Sequence, residues 1–286
     1  MSLLTLANTA IVADSTCDPP DGYMDQDGLF MVPLTVSFGD KTYRDHVDLT
    51  LDEFRAKLVA ATELPTTSQP TIAQFRERYA QVAPRYEHVF SLHISSKMSG
   101  TFAAAEAAAA DFANIEVIDT RIVCTTVSLL MDRLRARLAD GISREDARAY
   151  IDYFSANSHT VVHAGTLEYL RRGGRIGAAA SVVGGLLGIH PVILIANGEV
   201  SPYTKARGAR RAQAAMIDYM CEHSTAGDKL FICLIDAMSD PGVLDSLATD
   251  IVAARPNARI VMTGHAGAVV GTHIGPSASA FGMIVE

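Results

Sequence analysis

Two histidines and four glycines share the stretch Gly264-His-Ala-Gly-Ala-Val-Val-Gly-Thr-His-Ile-Gly-Pro-Ser277, near the C-terminus of this 286-residue chain. Glycine lacks the Cβ that would keep a ligand or a neighbouring strand at a distance, so such a ribbon is built for close approach. His265 and His273 are its only groups whose charge can change near neutral pH. Two hydroxyl clusters provide further chemistry. Leu64-Pro-Thr-Thr-Ser-Gln-Pro70 holds three hydroxyl residues between prolines that forbid a regular helix, so it must be a shaped loop. The other, Ser95-Ser-Lys-Met-Ser-Gly-Thr101, follows the strand-like run Val89–Ile94 and leads into an alanine-rich helix. A strand, a hydroxyl-rich turn and a helix N-terminus together favour an anion, because first-turn N–H groups lack partners. Serines in such turns also serve as plain N-caps.

Around these loops, strands and helices alternate in the first half. Strands are expected at Ala10–Ala13, Phe30–Val36, His88–Ile94 and Glu116–Asp119, with helices at Leu51–Ala61, Thr71–Gln81, Thr101–Phe112, Thr125–Leu138 and Ser143–Asn157. This order implies a parallel sheet with ligands at the carboxyl ends of its strands, where Asp14, Ser15, Thr67, Ser95 and Asp119 fall. A second half opens with a strand at His159. It continues through Leu167–Arg172, a small-residue helix Gly177–Leu187, strands at Pro191–Ala196, Glu199–Thr204 and Leu230–Ala237, and helices at Gly208–His223 and Val243–Ala254, before the terminal ribbon. The expected fold is α/β with two domains: an N-terminal Rossmann-like parallel sheet over residues 1–158 and a second α/β domain over 159–286, with a ligand tunnel between them.

Seven motifs occur in order along the chain: Ile11-Val-Ala-Asp-Ser-Thr16, Val32-Pro-Leu-Thr-Val-Ser37, Pro65-Thr-Thr-Ser-Gln-Pro70, Ile94-Ser-Ser-Lys-Met-Ser-Gly-Thr101, Gly174-Arg-Ile-Gly177, Lys205-Ala-Arg-Gly-Ala-Arg-Arg211 and Gly271-Thr-His-Ile-Gly-Pro276. In these the sequence resembles the DegV family, bacterial fatty-acid-binding proteins that present their ligand to a separate kinase. Cys17, His190 and Ala266-Gly267 depart from the family's usual residues.

The resemblance implies a carrier without turnover of its own. It would bind a long-chain fatty acid in a buried tunnel and present the carboxylate to a fatty acid kinase for acyl phosphate formation, feeding phospholipid synthesis. A buried carboxylate needs donors, and the hydroxyls of Thr67, Ser68, Ser95 or Ser96 can supply them without a second charge to desolvate. Arg175 and His273 are available for the added charge of an acyl phosphate. Gly184–Gly188 and the row Phe281, Met283 and Ile284 are candidates to border the tunnel, although apolar residues at such spacing are commonly plain core.

Composition sets the limits. With 49% hydrophobic and 20% charged residues the chain can bury a large interior, and a net charge of −8 speaks against nucleic acid as a general partner. A basic island interrupts this: between Thr166 and Arg211 lie Arg171, Arg172, Arg175, Lys205, Arg207, Arg210 and Arg211 against Glu168 and Glu199. Lys205, Arg207 and Arg211 are the candidates to meet an acidic partner, here the kinase.

No eighteen-residue apolar run occurs, so no membrane insertion is expected. The opening residues lack a basic n-region, and a cytoplasmic location is expected. Cys17, Cys124, Cys221 and Cys233 form no C-x-x-C pair, so neither a zinc site nor a disulfide framework is expected. No resident cofactor is expected. The sequence lacks G-x-S-x-G, Walker A, H-E-x-x-H and G-x-G-x-x-G patterns. The rival reading is a serine hydrolase acting on an acyl ester, with Asp14, Ser95 and His273 assembled as a triad. His159 and His163 are four apart, but Thr160-Val-Val makes their segment a strand rather than a metal-bearing helix.

Overall fold

Alternation of apolar residues along β1 (Thr9–Asp14) sends Ala10 and Val12 to one side and Ile11 and Ala13 to the other, and both sides are covered. A computed structural model describes residues 3–182 and 188–286. In it β1 lies at the heart of a four-stranded sheet with β2 (Leu29–Val32), β6 (His88–His93) and β7 (Ile115–Asp119), ordered β2-β1-β6-β7 and parallel throughout. This is the sheet the alternation implied. On one face α2 (Ile72–Val82) and α3 (Thr101–Ala109) bury Phe75, Tyr79, Val82, Ala104, Ala105 and Ala108 against Ala10, Val12 and Val89. Reciprocal hydrogen bonds between Thr71 and Gln74 start α2.

The expected strand Phe30–Val36 is two strands, broken at Pro33 and Leu34. The second piece, β3 (Thr35–Phe38), joins β4 (Lys41–Arg44) and β5 (Thr66–Ser68) in a small antiparallel sheet ordered β4-β3-β5. The Pro65–Pro70 loop thus contains a short strand, which fixes Thr67 opposite Val36. Helix α1 (Leu51–Ala60) closes this layer, burying Phe54 and Leu58.

The second sheet has six strands in the order β10-β9-β8-β13-β11-β12. These are β8 (His159–His163), β9 (Ile189–Ala196), β10 (Glu199–Arg207), β11 (Leu230–Ala237), β12 (Arg259–His265) and β13 (Ala278–Val285). Only β11 and β12 run parallel within it; the other neighbours are antiparallel. Helices α7 (Ala209–Glu222) and α8 (Val243–Ala254) cover one face. Phe281 and Met283 point to that face, and Ile284 packs in the core on the other; none of the three borders the cavity described below. Residues 177–182 form a 3-10 turn, and the remainder of the expected helix to Leu187 lies outside the described residues, as does the Gly184–Leu187 stretch considered for the tunnel.

Helix α4 (Thr125–Asp140) lies between the two sheets. It and α5 (Arg144–Asn157) carry Val127, Leu130, Leu134, Ile151 and Phe154 into one apolar cluster with Ile11, Phe90 and Leu92 of the first sheet and Phe231, Cys233 and Ile284 of the second. Strands of the first sheet end at Asp119 and those of the second begin at His159, but the core is continuous through α4.

The glycine ribbon is not one strand. It comprises the end of β12, a short helix α9 (Ala268–Ile274) and the turn into β13. Close approach does occur along it. A Cβ on Gly271 would lie 2.7 Å from the ring of Phe54, and one on Gly275 2.2 Å from Tyr169, which belongs to α6 (Glu168–Arg172). The glycines therefore admit protein side chains rather than opening space for a ligand.

Candidate functional site

The carboxyl ends of β1 and β6, the β5 loop, α9 and the open face of the second sheet surround a cavity of about 360 Å³. Its walls are chiefly apolar: Leu34, Ile94, Met98, Val123, Val162, Leu170, Ile193, Ile195, Val200, Ile235, Val269, Val270 and Ile274 all face it. Polar groups gather at one flank, where Thr67, Ser68, Gln69, Ser99, Arg175 and His273 line it. Thr16, Cys124, Thr160, Asp236 and Ser279 complete the polar lining. A chiefly apolar space with a polar flank is the arrangement that holds a lipid tail and fixes one end of it.

The sequence placed Thr67 and His273 far apart, and the fold brings them together: Thr67 Oγ1 and His273 Nε2 are 2.9 Å apart. The other ring nitrogen, Nδ1, is buried and has no hydrogen-bond partner among the described residues. Burial, and then the nearby Arg175 charge, push His273 down to about 4, so its imidazole is neutral at physiological pH. Gly173 is needed beside it, because a Cβ there would stand 2.3 Å from Nδ1. Arg175 reaches across the flank, donating from Nε to the Met98 carbonyl at 3.2 Å and from Nη1 to that of Gly173 at 2.6 Å.

Ser95 and Ser96 do not line the cavity, contrary to the expectation from sequence. The buried Ser95 hydroxyl donates to the Gly198 carbonyl at 2.6 Å, joining the 95–99 loop to the turn between β9 and β10. Ser96 donates to Asp119 at 2.6 Å on the exterior. Their places are taken by Ser99, at the end of the same turn, and by Gln69, neither singled out from sequence. Gln69 lies against Gly100, which has no Cβ to displace it. The signal was present, since both residues sit inside the two hydroxyl motifs.

Nor does the structure assemble Asp14, Ser95 and His273. Asp14 is fully buried and pairs with His93 Nδ1 at 3.0 Å; His93 Nε2 in turn meets Ser91, and Ser91 meets Tyr79. Burial alone would raise Asp14, but hydrogen bonds from His93, Thr16 and Ile94 outweigh it and hold the carboxyl below its ordinary value. That chain of contacts fixes Thr16 and Ile94, both on the cavity wall. A hydrolase arrangement needs these groups to touch one another, and each has a different partner.

His265 pairs with Asp236 at the exposed end of β12. Asp18, Asp45 and His46 place ligand-type atoms within 4.8 Å of one another, but their carboxylate oxygens already accept from Cys124, His46, Ser15 and Ala268. Lys205 and Arg207 lie exposed at the end of β10, and Arg211 is exposed in the first turn of α7. Among the described residues no helix is long and apolar enough to cross a membrane.

A family model described as "Uncharacterised protein, DegV family" matches residues 8–286. The chain belongs to the DegV family. Among solved structures, this DegV member is similar to the fatty-acid-binding DegV protein of Thermus thermophilus, with a TM-score of 0.92 and 30% identity over 98% of this chain and 100% of that one. It is 30% identical over 285 residues to a fatty acid-binding protein of Thermotoga maritima, covering 96% of this chain and 97% of that protein. The fold is also shared with the Streptococcus pneumoniae fatty acid kinase B3 protein, solved with linoleic acid, at a TM-score of 0.84 and 21% identity over 98% of this chain and 100% of that one.

Proposed function

We propose that this protein binds one long-chain fatty acid in the cavity, tail among the apolar walls and carboxylate at the Thr67–His273 flank, and presents that carboxylate to a separate fatty acid kinase. The single observation that carries the reading is the cavity itself: a chamber with chiefly apolar walls and a polar flank, where the contact between Thr67 and a neutral His273 lies. Burying a tail of about sixteen carbons is worth on the order of 12 kcal/mol gross at about 0.8 kcal/mol per methylene, so the walls supply affinity and the polar flank supplies orientation.

Neutral His273 suits a carboxylate in a specific way. With its proton on Nε2 the ring donates to Thr67 Oγ1, which frees the Thr67 hydroxyl to donate to the ligand. Residues 1–158 and 159–286 act as the two domains that form the walls, packed on either side of α4. The carrier needs no cofactor, works in the cytoplasm and has no turnover of its own. Lys205, Arg207 and Arg211 form the surface that meets the kinase, and Arg175 and His273 accommodate the phosphate added by transfer. Membrane insertion and nucleic-acid binding have no part in this role.

Native mass spectrometry of protein purified from a bacterial host tests the core of this reading. About one fatty acid per chain is expected, exchangeable for added oleate. Protein that carries none and fails to bind palmitate or oleate after delipidation overturns it.

A further inference from the structure

We infer that Asp45 is a positioning residue for the head-group flank: through the start of α9 it sets where His273 stands. This rests on the head-group reading above, but its first readout does not.

The Asp45 carboxylate is buried, at 1% exposure, and connects three parts of the chain. One oxygen accepts from Ser15 Oγ at 2.8 Å, at the carboxyl end of β1. The other accepts from the backbone N–H of Ala268 at 3.0 Å, the first residue of α9. Its own N–H donates to the carbonyl of Leu34 at 2.9 Å, and Leu34 donates back to Ser15 Oγ at 3.0 Å. Burying a carboxylate is costly, and an apolar residue would fill the space at lower cost; a carboxylate gives directed acceptors that an apolar residue cannot.

His46 and Asp18 enclose the same junction. They are 3.1 Å apart, both with left-handed backbone (φ 59° and 41°), a conformation that carries strain for non-glycine residues. A Cβ on Gly267 would stand 2.5 Å from His46 Nε2, 2.6 Å from Asp18 Oδ1 and 3.2 Å from Asp45 Oδ1. Three side chains from the first half of the sequence thus converge on one glycine at the β12–α9 junction. His273 follows on the next turn of α9, whose backbone bonds Gly271 to Gly267 and Gly275 to Gly271. Any displacement of Ala268 is carried along this short rigid helix to the imidazole, with Val269 and Val270 on the cavity wall between them.

Asp45→Ala removes the acceptor of the Ala268 N–H; Asp45→Asn keeps one. Gly267→Ala displaces the junction without touching Asp45. Imidazole 15N–1H spectra of each delipidated protein, with the His273 signal assigned by its loss in His273→Gln, report its placement with no lipid present; oleate dissociation is then followed by stopped-flow. The expected result is a shifted His273 signal and dissociation at least tenfold faster in Asp45→Ala and Gly267→Ala, with Asp45→Asn within about threefold of the parent. Circular dichroism confirms that each variant is folded. A folded Asp45→Ala whose His273 signal coincides with the parent's overturns the inference. A shifted signal with unchanged oleate kinetics upholds the positioning of His273 and overturns instead the assignment of the head group to this flank.

Discussion

Thr67 and His273 meet at 2.9 Å across a separation of 206 positions, one from a strand of the small antiparallel sheet and the other from α9 beside the second sheet. This contact joins the two halves of the chain at the cavity flank. The sequence offered each residue as a candidate separately, and only the fold makes them a pair.

That pairing sets the expected behaviour of two variants. Thr67→Ala deletes a hydroxyl that would bond a buried carboxylate, and His273→Ala deletes the group that orients it. Each should weaken oleate binding by about 1.5–3 kcal/mol, the value for hydrogen bonds to a charged group, which is a rise in Kd of about 10- to 150-fold. The double variant should cost much less than the sum, because the two act as a unit. Isothermal titration of delipidated protein measures all three, and full additivity would show that the residues act independently.

The hydroxyl motifs were legible because their neighbours constrain them: prolines bracket one, and a strand and a helix bracket the other. Which hydroxyl faces the cavity was not legible. Ser95, Ser96 and Ser99 share one turn, and their fates depend on Gly198 and Asp119, which are distant in sequence. Helix α9 is hard to see in the sequence because glycines and the β-branched pair Val269-Val270 disfavour helix locally. Its ends are held by tertiary contacts, with Asp45 at its first residue and Tyr169 against Gly275. The parallel first sheet followed from alternation of elements, whereas the order of the second depends on pairings such as β8 with β13, which no local pattern encodes.

The clamp at Gly267 carries its own pH signature. Burial would lower His46, but the hydrogen bond to Asp18 and the charges of Asp45, Asp18 and Asp21 raise it to about 9 from 6.5. A histidine raised on folding contributes stability that is fully present below pH 6.5 and is lost as pH rises through about 9. Asp45, pushed up to about 6 by burial, loses most of its proton before that window and adds only to the start of the decline. The midpoint of thermal unfolding should therefore decline between pH 6.5 and 9, and His46→Ala should flatten the decline. An equal slope in parent and variant would assign it to other groups.

Ser95 should behave as a latch rather than as a ligand contact. Its hydroxyl is buried against the Gly198 carbonyl, and the adjacent Lys97–Glu199 pair at 3.0 Å is exposed and contributes little. Ser95→Ala leaves a buried carbonyl without its donor, a loss of about 1–3 kcal/mol in stability. Because Val200 and Ile195 flank that turn and line the cavity, loosening it should speed both association and dissociation of oleate while changing Kd less than Thr67→Ala does. A Kd loss as large as that of Thr67→Ala, with the off-rate alone affected, would return Ser95 to the head-group site.

Partner recognition can be separated from ligand binding at Arg207. Its side chain is exposed at the end of β10, two residues from Lys205 on the same strand, and Arg211 follows in the first turn of α7. None of the three lines the cavity, so Arg207→Glu should leave oleate affinity within about twofold of the parent. Rim charges act mainly on encounter rate and orientation, and over distances of about 10 Å salt at 0.1 M screens them. Acyl phosphate formation by the cognate kinase should therefore fall sharply with the Arg207→Glu carrier at low ionic strength, and the gap between parent and variant should narrow as salt is added. Undiminished turnover at low salt would make this island an ordinary solvated surface and move the kinase contact elsewhere on the carrier.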